Sequence, residues 1–195
     1  MARTADITRK TRETEIEVAV DLEGGEVETT TGIGFFDHMV ESLGRHAGLG
    51  LRVNAQGDLH TGAHHTVEDV GIALGRALDG ALGDRAGIRR YGSAAVPMDE
   101  ALGVCAIDVS GRPFCLFRSE MPLTSIAGFE TELTEEFFRA MATNGKLTVH
   151  VGTRYGSNAH HMVEACFKAF ARALREAIEL DPRERGVPST KGTLT

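Results

Sequence analysis

The chain carries the same short pattern twice, in a shared register. His64-His65-Thr66-Val67-Glu68 recurs as His160-His161-Met162-Val163-Glu164, at an offset of 96 residues. Four residues downstream recur at the same offset, where Ala73, Arg76, Ala77 and Leu78 match Ala169, Arg172, Ala173 and Leu174. Self-similarity at a fixed offset is typical of a repeated architecture. The sequence therefore predicts two homologous halves, residues 1–93 and 94–195, and halves this small are expected to share one core.

Strands and helices alternate in both halves, which predicts an α/β fold, a duplicated α+β sandwich with helices packed on a sheet. Residues 16–20 alternate apolar and polar side chains, as a half-buried strand does. The first half is further expected to have a turn at 23–26, a helix over 34–44, a strand over 49–55 and a helix capped by Thr61 that runs to about Leu82. In the second half, 104–109 and 114–117 should form a hairpin, followed by a helix over 134–142 and a strand over 146–151. A last helix should start near Ser157 or Asn158 and end before Pro182.

Two of these helices have apolar residues at helical spacing, which predicts one buried face on each. On the first helix the face consists of Val67, Val70, Leu74, Leu78 and Leu82. On the last helix it consists of Val163, Phe167, Phe170, Leu174 and Ile178.

The composition restricts the classes of function. With 21 Lys and Arg against 28 Asp and Glu, the net charge of −7 argues against a nucleic-acid-binding surface. No apolar run approaches the roughly 18 residues of a membrane span, and residues 1–10 lack the apolar core of a signal peptide. Three cysteines without a CxxC spacing, Cys105, Cys115 and Cys166, favour a reducing cytoplasm over a disulfide framework or a thiolate zinc site.

Histidine and glutamate are the chemistry-bearing residues of the repeated pattern. Imidazole and carboxylate ligands without thiolate suit Mn, Fe or Zn, and the carboxylate favours the harder ions. Residues four apart on a helix stack one turn apart, so His64 should lie over Glu68 while His65 projects about 100° away. Each histidine pair is therefore expected to serve two metals, and the same holds for the second copy. The positive end of the helix dipole keeps such imidazoles neutral, which is the form that binds metal.

The repeat adds one further pair of candidate ligands. Allowing a two-residue gap, His38 falls opposite Glu136, and both are expected at the start of the equivalent helix. A lone helical histidine is more often hydrogen-bonded than metal-bound, but both of these residues can ligate metal. His46, His60 and His150 have no comparable partner pattern, and the strand position of His150 favours a surface or interface role.

Three basic segments are expected on turns, at residues 88–92, 110–113 and 188–192. Each places cations or hydroxyl groups beside Gly or Pro. Arginine forks and a Ser/Lys loop are suitable donors to a phosphate. The alternative is scattered solubilising charge, which the spacing alone favours.

Taken together, the motifs resemble those of the imidazoleglycerol-phosphate dehydratase family over essentially the whole chain. The matching segments include Arg-Glu-Thr at 12–14, Gly-Ile-Gly-Phe-Phe-Asp-His-Met at 32–39, His-His-Thr-Val-Glu-Asp at 64–69, Pro-Met-Asp-Glu-Ala at 97–101, Asp-Val-Ser-Gly-Arg-Pro at 108–113, His160-His161 with Glu164 and Lys168, and Pro-Ser-Thr-Lys-Gly at 188–192. The resemblance implies a duplicated α/β fold in which each half is a four-stranded sheet covered by helices. It also implies two Mn²⁺ ions per active site and a homo-oligomer of about 24 subunits, with sites formed between subunits.

The reaction implied by the resemblance is a step of L-histidine biosynthesis. Water is removed from D-erythro-imidazole-glycerol phosphate, a small phosphate ester, to give imidazole-acetol phosphate. The proton to be removed has no carbonyl beside it, so metals on both ring nitrogens are expected to hold the imidazole as imidazolate, which can expel hydroxide. A general acid and a general base are needed as well. Glu13 is one candidate, with a metal-bound water or a ligand carboxylate as the alternative.

Matching positions assign the site residues implied by the resemblance. One metal would be held by His38, His65, His161 and Glu164, and the other by His64, Glu68, Glu136 and His160. The phosphate would be bound by Arg90, Arg112, Ser189 and Lys191. Other substrate contacts would come from Glu13, His38, His46, Asp99 and Lys168. Catalytic roles would fall to Glu13, His65, Glu164 and Lys168.

Two positions depart from the family pattern. Many members carry His where this chain has Glu136, and a carboxylate there still suits Mn. Acidic residues are frequent just before the first His pair, where this chain has Gly62-Ala63, so outer support of the ligands is expected to be weaker.

Two other functions fit a His- and Glu-rich site. A di-metal phosphatase or other hydrolase would use the same ions to activate water, and it would release inorganic phosphate. A metal-storage shell would bind many loosely held ions and would show no turnover.

Overall fold

The computed structural model describes residues 2–194. The first half contains β1 (Thr4–Lys10), β2 (Thr14–Asp21), β3 (Val27–Thr30), α1 (Gly34–Ala47), β4 (Gly50–Gly57) and α2 (His64–Leu82). The second half contains β5 (Tyr91–Met98), β6 (Ala101–Asp108), β7 (Phe114–Arg118), β8 (Ser125–Ile126), β9 (Phe129–Glu130), α3 (Leu133–Gly145), β10 (Thr148–Tyr155) and α4 (Ala159–Ile178).

The two halves repeat one sheet topology. The strand orders are β1-β2-β4-β3 and β5-β6-β10-β7, each a four-stranded sheet, and β8 and β9 form a separate two-stranded hairpin. In both sheets one edge strand runs parallel to its neighbour across a helix: β3 pairs with β4 across α1, and β7 pairs with β10 across α3. The other neighbours within the two sheets are antiparallel. The predicted duplicated α/β fold, with a four-stranded sheet in each half, is therefore confirmed.

The helices of the two halves pack against each other between the sheets. α2 lies on β1 and β2, and α4 lies on β5 and β6. Across the middle, α1 contacts α4 and α2 contacts α3, so the layers run sheet, helices, helices, sheet. One hydrophobic cluster includes residues of both halves, with Phe36, Phe137 and Phe167 among its fully buried side chains. Because of this pairing, each helix that carries a His-His-x-x-Glu motif packs against a helix of the other half.

Several predicted elements agree with the structure, and one does not. All ten residues of the two predicted apolar helix faces are buried. The hairpin predicted for residues 104–109 and 114–117 is wrong, because β10 lies between β6 and β7 and pairs with both. The segment after β6 passes over the position of β10 before β7 begins, so β7 does not fold back directly against β6. The sequence patterns also missed β1, β3 and β5, and the predicted boundary at residue 93 falls inside β5.

Within residues 2–194, no helix is both long enough and apolar enough to cross a membrane.

Candidate active site

All four long helices begin at the same end of the molecule. Thr30 pairs with Asn54 near the end of β4, so α1 starts there, and a Cβ on Gly57 would lie 2.0 Å from Oγ1 of Thr66 in the first turn of α2. Between halves, the ring of Phe35 lies 4.9 Å from that of His160, which aligns the starts of α1 and α4. Gly71 of α2 similarly faces the Phe137 carbonyl of α3. The predicted metal ligands, which lie within the first turns of these helices, therefore share one end of the fold.

The first group of predicted ligands lies where α1 meets α4. Nε2 of His160 is 3.1 Å from Oε2 of Glu164, one turn along the same helix, and Nε2 of His38 is 3.7 Å from the same oxygen. Nζ of Lys168 is 2.7 Å from the other oxygen, Oε1. Burial acts to raise the pKa of Glu164, but hydrogen bonding and charge from Lys168 outweigh it and lower that pKa. The buried carboxylate is thus held ionised beside two imidazoles.

The second group lies on α2. The rings of His64 and His65 are 6.2 Å apart at an interplanar angle of 87°, so the two imidazoles diverge as their spacing predicted. Nδ1 of His65 lies 3.0 Å from Oδ2 and 3.2 Å from Oδ1 of Asp58, and 4.0 Å from Oε2 of Glu13. The hydrogen bond to Asp58 raises the pKa of His65. Glu13 therefore lies next to a predicted ligand.

Glu136 lies near the start of α3, the helix that packs on α2. Its Oε1 accepts a hydrogen bond of 3.1 Å from Arg139, which also bonds Glu135. The side chain of Glu136 is 32% exposed, so its carboxylate is accessible at the surface.

The second histidine of α4 has its own carboxylate partner. The rings of His160 and His161 are 6.0 Å apart at 78°, which repeats the divergence seen on α2. Nδ1 of His161 is 2.7 Å from Oε2 of Glu100, and this hydrogen bond raises the pKa of His161 and lowers that of Glu100. Asp99, on the same turn, has a carboxylate oxygen 3.6 Å from Nε2 of His161.

A single chain does not assemble either predicted ligand set. Of the first set, His38 and Glu164 are in contact, whereas His65 lies on α2. Of the second set, His160 is bonded to Glu164 and not to Glu68. Among residues 2–194, no group of three or more His, Cys, Asp or Glu side chains is arranged to hold a metal ion.

The helix starts correct one prediction. Thr61 is not the cap of α2: the N-cap is Ala63, without a side-chain cap, and Thr61 instead donates to the carbonyl of Asp58. The turn formed by residues 58–62 separates Thr61 from the helix start. α4 was expected to start near Ser157 or Asn158; its N-cap is Asn158, which accepts from the amides of His160 and His161.

The three basic segments meet at the opposite end of the molecule. Arg90 makes a two-pronged ion pair with Asp108, at 2.7 and 3.2 Å, and it donates to the carbonyl of Pro188 at 2.9 Å. The bond to Asp108 raises the pKa of Arg90. Arg112 lies 3.7 Å from the same Asp108 and is 62% exposed. The loop after Pro188 carries Ser189, whose Oγ accepts from the amide of Lys191. The predicted phosphate residues therefore form one cluster, here called the anion cluster.

The anion cluster lies far from the predicted metal ligands of the same chain. The amide of Arg90 bonds the carbonyl of Ala177, near the end of α4, whereas His160 is at its start. α4 has 20 residues and so spans about 30 Å. Its length exceeds that of the small phosphate ester predicted as substrate.

His46 is the last predicted substrate contact, and it lies on α1 where that helix faces α4. Burial lowers its pKa, and the positive charges of Lys168 and Arg172 lower it further. His46 is thus held neutral, and it lies among positively charged side chains that include Lys168.

Sequence reasoning missed the acidic residues that hold the site in place: Asp58, Asp69, Glu100 and Asp108. Asp69 is buried and accepts from Arg9 at 2.9 Å and from Thr14, which ties the Glu13 turn to α2. Its position in the 64–69 motif was the only signal for it. Asp58 and Glu100 have no counterpart at the 96-residue offset, so the repeat could not have revealed them.

The fold and the site define a class of protein. It is a duplicated α/β sandwich whose halves both begin one helix with His-His-x-x-Glu, an enzyme scaffold built on histidine and carboxylate chemistry. A model of the imidazoleglycerol-phosphate dehydratase family matches residues 31–174. The chain belongs to this family, and it is accordingly a hydro-lyase of histidine biosynthesis.

Curated relatives and solved structures agree with this assignment. The chain is 56% identical over 194 residues to imidazoleglycerol-phosphate dehydratase of Jannaschia sp. (strain CCS1), covering 98% of this chain and 100% of the relative. It is 57% identical to that of Nitrobacter hamburgensis, covering 98% of both chains. The crystal structure of the enzyme from Staphylococcus aureus superposes with a TM-score of 0.83 at 37% identity, covering 91% of this chain and 99% of that one. The enzyme from Pyrococcus furiosus, solved in complex with (S)-C348, gives a TM-score of 0.84 at 36% identity, covering 96% and 100%.

Proposed function

We propose that this chain dehydrates D-erythro-imidazole-glycerol phosphate to imidazole-acetol phosphate at a site with two Mn²⁺ ions. The observation that supports it most is the clustering of both His-His-x-x-Glu motifs at one end of the helix layers, together with an anion cluster that suits the phosphate. The reaction class follows from the family, and the chemistry below rests on this chain's residues.

The donor groups fit Mn²⁺. They are imidazole nitrogens and carboxylate oxygens, and carboxylates suit Mn²⁺. The thiols of Cys105 and Cys166 are buried. One ion would be held by His38, His65, His161 and Glu164, and the other by His64, Glu68, Glu136 and His160. When bound, the ions supply Lewis-acid stabilisation of the substrate imidazole in its imidazolate form.

The side chains around the proposed ligands would transfer protons and fix the ionisation state of their neighbours. Glu13, 4.0 Å from His65, is placed to take or give the proton of the reacting side chain. Lys168 holds Glu164 ionised from 2.7 Å and presents a positive charge toward the substrate side of α4. Asp99 lies beside His161 at the start of α4, and His46 lies in the last turn of α1, facing Lys168 and Arg172 of α4. Both would contact the substrate.

The anion cluster would orient the substrate by its phosphate. Arg112, Ser189 and Lys191 present donors at the surface, whereas Arg90 spends most of its donors on Asp108 and Pro188. Arg90 would therefore hold the loop after Pro188 in place as much as it would contact the phosphate directly. Binding energy from a remote phosphate fixes the reacting end of the substrate in position.

We further propose that each active site combines residues of different copies in a large homo-oligomer. The length of α4 between the anion cluster and His160 supports this arrangement, as does the incomplete ligand set within residues 2–194 of one chain. The substrate would then be bound by the metal-ligating end of one copy and the anion cluster of another.

The outer face of the second sheet also supports self-association. On the first sheet, outward positions carry polar side chains, including Glu15, Glu17, Arg52 and Asn54. On the second sheet several outward positions are instead apolar, including Leu102, Val104, Ala106 and Leu116. Apolar patches of this kind mark protein contact sites, and a second copy of the chain is the partner that the incomplete site requires.

The cysteines support a cytoplasmic location for this biosynthetic enzyme. Cys105 and Cys166 are free and buried, and burial raises the pKa of the Cys166 thiol to about 12. Thiols kept reduced suit a reducing compartment. Fractionation of the source cells would test this location.

The function is tested by incubating metal-stripped protein with imidazole-glycerol phosphate, with and without Mn²⁺. Imidazole-acetol phosphate and inorganic phosphate are followed together. Mn-dependent keto product without free phosphate is the expected result. Release of phosphate would instead support a hydrolase, and many bound ions without turnover would support a storage shell.

A further inference from the structure

We propose that Asp58 and Glu100 are positioning residues that hold His65 and His161 with the proton on Nδ1 and with Nε2 facing outward for a metal. This inference rests on the proposed metal site. It assigns a role to two carboxylates that are neither proposed ligands nor proposed substrate contacts.

Asp58 addresses His65 with both carboxylate oxygens. They lie 3.0 and 3.2 Å from Nδ1, and an ionised carboxylate can only accept, so this nitrogen must carry the proton. Asp58 is itself held in place: its amide donates to the carbonyl of Glu13 at 3.0 Å, and its carbonyl accepts from Thr61.

Glu100 accepts a hydrogen bond from His161 in the same way, from a different part of the fold. Its Oε2 is 2.7 Å from Nδ1 of His161. Its other oxygen accepts from the amides of Ser157 at 3.0 Å and Asn158 at 2.7 Å, which fixes the carboxylate against the start of α4. The ring of His161 is therefore held by a group that is rigid itself.

The two carboxylates are not copies of each other. His65 and His161 are equivalent in the repeat, yet the 96-residue offset pairs Asp58 with Arg154 and Thr4 with Glu100. The hydrogen bond recurs although the residue that makes it does not. Inheritance from the duplication cannot account for this recurrence, whereas a shared requirement on the two histidines can.

The neighbouring histidines provide the contrast. His160 turns Nε2 toward Glu164, a carboxylate proposed as a ligand itself. The Nδ1 bonds to Asp58 and Glu100 instead leave Nε2 of His65 and of His161 for the metal. The carboxylate of Asp99 is 3.6 Å from Nε2 of His161, beyond hydrogen-bond distance. A carboxylate on the far nitrogen fixes the ring and makes the metal-binding nitrogen more basic. The support expected to be weak at Gly62-Ala63 is thus supplied by Asp58.

The test measures Mn²⁺ affinity of the metal-stripped oligomer by electron paramagnetic resonance of the free ion. Asp58→Ala removes the acceptor, and Glu100→Gln keeps an oxygen for the amides of Ser157 and Asn158 while it disturbs the bond to His161. Each should weaken Mn²⁺ binding by about 10–100-fold. Asp6→Ala and Glu17→Gln, on the polar outer face of the first sheet, are matched controls that should bind Mn²⁺ as the unmodified protein does.

Further measurements separate positioning from folding. The melting temperature of the metal-free variants should stay near that of the unmodified protein. Unchanged Mn²⁺ affinity in both variants would overturn the inference. Failure of the unmodified protein to bind Mn²⁺ would instead overturn the proposed function.

Discussion

His38 and Glu164 meet across the boundary between the two halves, with Nε2 of the imidazole 3.7 Å from a carboxylate oxygen. The contact exists because α1 of the first half packs on α4 of the second. The repeat pairs α2 with α3 in the same manner, so Glu136 lies on a helix that packs against the one carrying His64 and His65. Neither half alone could therefore bring His38 and Glu164 together.

Replacing His65 by Ala should remove bound Mn²⁺ and activity together. The imidazole is proposed as a ligand, and its loss leaves Asp58 and Glu13 facing a gap. Metal content by elemental analysis measures the effect, with His60→Ala as a matched control on the exposed turn before α2. Full metal content in His65→Ala would remove this residue from the ligand set.

Lys191→Ala should raise KM about tenfold or more while Mn²⁺ content stays intact, since a hydrogen bond to a charged group contributes about 1.5–3 kcal/mol. The residue lies in the anion cluster, remote from the ligands of its own chain. Steady-state kinetics and elemental analysis together check this, with the exposed Arg185→Ala as control. An unchanged KM would exclude Lys191 from the phosphate site.

Glu13→Gln should lower kcat by about 10²–10⁴-fold and change substrate affinity less, because the amide keeps the shape but cannot transfer a proton. The comparison is with Glu28→Gln, an exposed change on β3. A kcat close to that of the unmodified enzyme would show that proton transfer depends on another group.

His46 should make stability depend on pH on the acid side of neutrality. Burial, then Lys168 and Arg172, hold its folded pKa below the usual 6.5. As pH falls through about 6.5 the unfolded chain gains a proton there that the folded chain does not, so stability is complete above this pH and is lost below it. Because His46→Gln removes this effect, its melting temperature should fall less than that of the unmodified protein between pH 7.5 and 5.5. Parallel declines would contradict the assignment.

The parts of the fold that sequence predicted well are those that depend on local periodicity. The apolar faces of α2 and α4, such as Val70 and Phe167, follow from helical spacing alone. The β6–β7 hairpin was wrong because the pairing of β7 with β10 is decided across α3, by contacts far apart in the chain. β5 was missed because its small residues, such as Gly92 and Ala94, lack the β-branched signal of a strand.

The candidate site divides in the same way. The repeat predicted the histidine pairs and the position of Glu136, since equivalent positions carry equivalent roles. It could not predict Asp58 or Glu100, which reach the site from turns that the repeat does not match. Asp108 was hidden for a similar reason: its value lies in joining Arg90 and Arg112, which only the folded chain brings together.

Mixed oligomers test most directly whether a site is shared between copies. Two inactive variants, His65→Ala at the metal-ligating end and Lys191→Ala,Arg112→Ala at the anion cluster, are co-expressed with different tags and purified through both. Sites that take the intact metal end from one copy and the intact anion cluster from the other should restore activity in the mixed oligomer. Doubly tagged oligomers that stay as inactive as either parent would contradict the shared site and place the whole reaction within one chain.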